Sequence, residues 1–248
     1  MSKVLVFVYG VVSYLIFFAS FLYLAGFLTN MVVPKTIDSG VVEPFWQSLL
    51  VNLILLTIFA LQHSVMARPG FKAWWVRIIP NAIERSTYVL LSSLALFLLY
   101  YYWQPMTSMV WQVEHEIARL VLWALFALGV LIVLLSTFMI GHFELFGLKQ
   151  VLNHYLGKGE ITPFFRSPGF YQLVRHPIMT GFIIAAWATP DMSQGHFVFA
   201  LVSTLYILVA LRFEENDLVN SLGDAYKTYQ KRVPQLVPFI KSRNQSDN

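Results

Sequence analysis

The sequence predicts an all-α polytopic membrane protein, and three observations predict it. Hydrophobic residues make up 57% of the 248-residue chain and charged residues only 12%, a balance too apolar for a soluble domain of this size. Four apolar runs each approach the roughly 20 residues needed to cross about 30 Å of hydrocarbon. The Lys and Arg residues lie between those runs and form no continuous patch, so the formal charge of +4 reads as membrane topology and not as a nucleic-acid footprint.

The four runs are Val4–Leu28, Phe45–Met66, Thr87–Trp103 and Ile117–Ile140. Each is expected to be helical, because lipid offers backbone amides no partner, and Trp46, Trp103 and Trp111 sit where interfacial anchors belong. Val4–Leu28 is too long for a signal-peptide core and lacks a small-x-small cleavage pattern, so it reads as a retained span. A fifth apolar region, 178–211, is interrupted by Pro190-Asp191-Met192-Ser193-Gln194-Gly195. Its first arm, ending near Ala188, would be about 16 Å long and cannot span alone. That leaves one kinked span or a hairpin of two short helices.

Basic residues decide between them. With a cytoplasmic N-terminus and a hairpin, the segments 1–3, 67–86, 141–177 and 212–248 hold every Lys and Arg except Lys35 and Arg119. A single kinked span would place the basic tail on the wrong side. The expected protein is a single membrane domain with four long transmembrane helices, a C-terminal helical hairpin and both termini cytoplasmic. An amphipathic tail helix is expected over 214–238, where Leu218, Leu222, Tyr226 and Tyr229 recur at helical spacing.

With no cysteine in the chain, disulfides, thiolate metal sites and a Cys nucleophile are excluded. His142, Glu144 and His154 lack the spacing of a metal site, so no metal is expected. Two polar clusters bracket the hairpin. Arg175-His176-Pro177 precedes a helix start, where free amides and a guanidinium favour a carboxylate or phosphate, although a snorkelling Arg beside an interfacial His gives the same tripeptide. Glu214-Glu215 follows an apolar helix and opposes its dipole. The compensating cation is Arg212, a tail lysine, or a bound ammonium or sulfonium group. Taken together, the clusters fit a zwitterionic ligand.

The pattern Gly169-x-Tyr171-x-x-Val174-Arg175-His176-Pro177-x-x-x-Gly181, followed by Glu214-Glu215-x-x-Leu218 and Gly223-x-x-Tyr226-x-x-Tyr229-x-x-x-Val233-Pro234-x-x-Val237-Pro238, resembles the isoprenylcysteine carboxyl methyltransferase and phospholipid methyltransferase superfamily. It covers 165–240, with Met179 where the superfamily usually has an aromatic. In the first half, Phe27-Leu28-x-Asn30, Pro34-Lys35-x-Ile37-Asp38-Ser39-Gly40, Leu61-Gln62-His63-Ser64-Val65-Met66-Ala67-Arg68-Pro69 and Glu84-Arg85-Ser86-Thr87-Tyr88 resemble the bacterial methanethiol S-methyltransferases, which are close to the NnrU-like membrane proteins.

The resemblance implies S-adenosylmethionine as methyl donor, methanethiol as a small thiol substrate, and dimethyl sulfide as product, in a bacterial inner membrane. It implies cofactor contacts from Arg175, His176, Pro177, Gly181, Glu214, Glu215, Tyr226 and Tyr229. Beyond the small thiol and membrane lipid, no protein partner and no nucleic acid is expected. The cofactor would occupy 165–240 and the substrate 1–140.

Such a reaction needs a thiolate, and a small alkyl thiol is mostly protonated at neutral pH. His63, near the cytoplasmic end of the second span, is the expected base; Arg85 would hold the thiolate, and Tyr171, with Tyr14 or Tyr88, would donate to sulfur. The structural alternatives are an interhelical His63 hydrogen bond, an Arg85–Glu84 ion pair and aromatic packing. Asp191 and His196, in the hairpin tip, are either functional polar groups or helix caps. Two other functions stay open: methylation of a prenylated carboxylate or phospholipid amine, and a non-catalytic NnrU-like accessory protein.

Overall fold

The computed structural model describes residues 2–159 and 166–239. In chain order the elements are α1 (Lys3–Thr29), α2 (Phe45–Ala67), α3 (Pro69–Trp75), α4 (Asn81–Tyr102), β1 (Met109–Gln112), α5 (Glu116–Ile140), α6 (His142–Leu145) and α7 (Leu148–Tyr155). After one 3-10 turn at Gly169–Gln172 come α8 (Pro177–Trp187), β2 (Asp191–Ser193), α9 (Gln194–Leu222) and α10 (Asp224–Arg232). The protein is an all-α integral membrane protein. Among the described residues, α1, α2, α4, α5 and α9 are long and apolar enough to cross a membrane.

The four expected long helices form close to their expected bounds. The third begins earlier, at Asn81, so Glu84 and Arg85 belong to its first turns. The C-terminal region differs more. The two hairpin arms are unequal, because α8 has 11 residues and α9 has 29. Glu214 and Glu215 therefore lie inside α9 and not beyond a helix end, since nothing between Phe197 and Leu222 breaks the helix. The break comes at Gly223, whose φ of 60° and ψ of −134° suit glycine. The single tail helix expected over 214–238 is accordingly two pieces, the last turns of α9 and the separate α10.

The far end of the bundle, opposite Arg175 and Glu214, is closed by interlocking loops. Antiparallel β1 and β2, in the loop after α4 and at the hairpin tip, pair with each other. Arg119 grips Asp191 with two bonds of 2.8 and 2.7 Å, and Ser193 caps α9 by accepting from the His196 amide at 3.1 Å. Asn52 makes a reciprocal pair with the backbone of Gln104, at 2.8 and 2.9 Å, that fixes the end of α4. The loop after α1 joins them: Asn30, in the left-handed region at φ 58°, ends α1 and donates to Asp38, which accepts from Ser193, while buried Trp103 donates to the Ile37 carbonyl. The 27–40 motif is thus a closure of the far end.

Short α8 packs antiparallel against α5 at a glycine crossing. A Cβ added at Gly181 would lie 2.6 Å from the Gly129 carbonyl oxygen, and one at Gly129 would lie 2.7 Å from the Gly181 oxygen. Only backbone-to-backbone contact fits this space, as at other small-residue membrane crossings. Gly129→Ala should lower thermal stability by about 1–3 kcal/mol through overpacking. Gly70→Ala, where nothing lies within 4 Å, should leave the unfolding temperature in detergent unchanged.

Candidate active site

The approach to α8 is not helical, and it carries Arg175 and His176 into the bundle, where they are 6% and 7% exposed. A buried guanidinium requires partners. Arg175 Nε donates to Glu215 Oε1 at 2.7 Å, and its Nη1 donates to the carbonyls of Gln230 and Val233 at 3.2 and 2.6 Å. His176 Nε2 lies 3.0 Å from the same Glu215 oxygen, and Gln230 donates to the other oxygen at 3.2 Å. The tail beyond α10 completes the arrangement, its Pro234 and Gln235 carbonyls accepting from the amides of Arg175 and His176.

The two brackets therefore close on each other through Glu215. Arg212 and the tail lysines are not its partners among the contacts seen. Glu214, one residue earlier on α9, is different: its side chain is 44% exposed, borders a cavity and has His176 Nδ1 at 3.9 Å.

That cavity, about 930 Å³, runs between α1, α2, α4, α5, α8 and α9. All of its charged lining lies at the near end: Arg68, Lys72, Arg85, Arg166, Arg175, Glu214 and Asp217, with Tyr171, His176, Tyr226 and Tyr229 beside them. The Tyr171 hydroxyl is buried and has no hydrogen-bond partner among the described residues. Burial, reinforced by Glu214 and Tyr229, pushes its pKa up, so it stays a donor. Burial also raises Tyr226, and pushes Tyr229 up to about 12; the Tyr229 hydroxyl donates to the Tyr171 carbonyl. Lys72 is held below its ordinary value, first by burial and then by Arg85.

His63 reaches the cavity from α2 and meets two hydroxyls of α4. Its Nδ1 is 3.2 Å from Ser92 Oγ, and Nε2 is 2.9 Å from the Tyr88 hydroxyl. Ser92 already donates to the Tyr88 carbonyl at 2.9 Å, so its oxygen is placed to accept from Nδ1–H, while the Tyr88 hydroxyl sits at the ring edge, 2.9 Å from Nε2 and 3.1 Å from Nδ1. Arg85 has no ion pair with Glu84 among the described contacts. It donates to the Leu145 carbonyl at 2.9 Å and lies 5.6 Å from the Tyr88 ring centre.

The structure thus gathers His63, Arg85, Tyr171, Arg175, His176, Glu214, Tyr226 and Tyr229 on one cavity. Pro177 and Gly181 do not border it: Pro177 starts α8 and Gly181 seats that helix on α5. Glu215 holds Arg175 from behind. At the far end, Asp191 pairs with Arg119, and His196 Nε2 lies 2.9 Å from the Ala186 carbonyl. The sequence carries no local signal for Ser92, Lys72 or Asp217, the last joined to Arg68 at 2.8 Å. His142, considered only for metal, borders the cavity between Thr137 and Tyr14, each 2.8 Å away.

A family model described as NnrU protein matches residues 51–215. Methanethiol S-methyltransferase of Mycobacterium tuberculosis is 52% identical over 239 residues, covering 96% of this chain and 98% of that protein. The chain belongs to this family. Methanethiol S-methyltransferase of a Pseudomonas strain is also 52% identical, over 96% of this chain and 90% of its own length. Nurim of Rattus norvegicus is 33% identical over 180 residues, 69% of this chain and 68% of its own. No solved structure matches.

The two glutamates should separate experimentally. Glu215→Ala leaves two buried groups without their carboxylate and should cost about 3–5 kcal/mol of stability. Glu214→Ala should leave thermal unfolding in detergent close to that of the unaltered protein.

Proposed function

We propose that this protein methylates methanethiol to dimethyl sulfide, with S-adenosylmethionine as methyl donor, at the near end of the cavity. The observation that carries this reading is 52% identity to a methanethiol S-methyltransferase across nearly the full length of both chains. The charge distribution supports it. A donor bearing an ammonium and a carboxylate needs an open acceptor and cationic partners. Glu214 offers the acceptor, Arg175, Arg85 and Lys72 supply positive charge, and the Tyr171 hydroxyl, without a partner among the described residues, is a remaining donor. When bound, the sulfonium supplies the methyl group.

The remaining work falls to the chain. With the imidazole proton on Nδ1, His63 Nε2 accepts from the Tyr88 hydroxyl 2.9 Å away, so a thiol docked against Tyr88 passes its proton to the phenol while the phenol passes one to the imidazole. Ser92 accepts from Nδ1–H and steadies the imidazolium that results. Arg85, beside Tyr88, holds negative charge on sulfur until it is methylated. In an apolar cavity that charge is poorly solvated, and its loss on methylation is favoured. The protein sits in a bacterial inner membrane with both termini and the charged mouth cytoplasmic. This placement leaves only Lys35 and Arg119, of all Lys and Arg residues, on the other side.

Purified protein given S-adenosylmethionine and methanethiol should release dimethyl sulfide into the headspace, and no product above a heat-killed control would sink the reading. His63→Ala should lower kcat by about 10²–10⁴-fold while the dissociation constant for S-adenosylmethionine stays unchanged. Loss of donor binding in that variant would instead make His63 structural.

A further inference from the structure

We propose that the substrate class extends to lipophilic thiols carrying a linear alkyl chain of medium length, seated in the apolar limb of the cavity; this rests on the methyl transfer proposed above. The limb begins where the chemistry ends. Tyr88 and Leu99 both line the cavity on α4, so it continues along that helix for about 16 Å past the Tyr88–His63 pair. Its walls there include Phe21 and Leu24 of α1, Phe126 and Val130 of α5, and Phe199 and Val202 of α9.

No charged side chain lines this stretch among the described residues. Ser93 and Thr204 turn their hydroxyls back to their own helices, donating to the Val89 and Ala200 carbonyls at 2.8 and 2.7 Å. Thr57 does the same toward the Leu53 carbonyl at 2.7 Å, which leaves Ser203 and the buried Ser20 hydroxyl, the latter without a hydrogen-bond partner among the described residues, as the polar points of a mainly apolar wall. The limb therefore offers almost nothing to the amino acid or nucleoside parts of a methyl donor. Methanethiol has two heavy atoms, while the limb alone runs about 16 Å; the cavity of about 930 Å³ that contains it also takes the methyl donor at its charged end.

Polarity orients the occupant. One end of the limb holds the base, the phenol and Arg85, where a thiol sulfur must sit; the other end suits only hydrocarbon. A thiol with an alkyl chain of medium length matches both ends at once. The step is the same: the alkyl thiol gives its proton through Tyr88 to His63, its sulfur forms a bond to the methyl carbon, and the bond between that carbon and the sulfonium breaks. The products are an alkyl methyl sulfide and S-adenosylhomocysteine.

The test compares methanethiol, butanethiol and octanethiol with S-adenosylmethionine and purified protein, measuring each methyl sulfide by gas chromatography. As the limb fills, kcat/KM should rise about three- to fourfold per methylene, the factor expected from burying one CH2 group. Val130→Trp, and from another wall Leu24→Trp, should each lower the octanethiol to methanethiol ratio of kcat/KM at least tenfold. A kcat/KM that falls with each added carbon, or a ratio that neither substitution changes, overturns the inference. Methanethiol turnover without octanethiol turnover removes the role of the limb and keeps the activity. Turnover of neither thiol removes the activity and this inference with it.

Discussion

The bond between Arg175 and Glu215 is the contact on which the rest of the site depends. Both side chains are nearly withdrawn from solvent, at 4% and 13% exposure, where an unpaired charge is costly and a satisfied pair is tolerated. One carboxylate draws together the non-helical approach to α8, the last turns of α9 and, through Gln230, α10. It also explains two adjacent glutamates. Successive residues on a helix point about 100° apart, so once Glu215 is turned to Arg175, Glu214 is carried round to the cavity. Scaffold and cavity lining are divided between neighbours in the chain.

A second constraint fixes the shape of the cavity. Because α5 and α8 touch through glycine backbone, the short helix sits flush against its neighbour and its other face lines the cavity through Ile178, Met179 and Phe182. Unlike a soluble enzyme, this bundle cannot rely on water to define a polar site. It does so by gathering charge at one end and leaving the remaining length to side chains that satisfy their own helices.

What could be read from the sequence was what depends on length and local composition. Four spans were legible because each is a long apolar run, and His63 and Arg85 stood out as polar residues at the edges of such runs. The extent of α9 was not legible. Glu215 and Asp217 look like the end of a helix until Arg175 and Arg68, distant in sequence, supply their countercharges. The strands β1 and β2 are too short to announce themselves, and each exists because the other does. Ser92 was hidden for a similar reason. A serine in an apolar helix is unremarked until a histidine from another helix meets it.

The closure at the far end has an electrical meaning. Trp103 and Ile37 are fully buried there, and the strand pair, the Arg119–Asp191 grip and the Asn52 clasp lie around them. A cavity lined with charge at one end and stoppered at the other forms, among the described residues, no continuous polar column along the bundle. An enzyme of this shape can handle protons and charged groups at one end of the bundle without opening a path for them to the other.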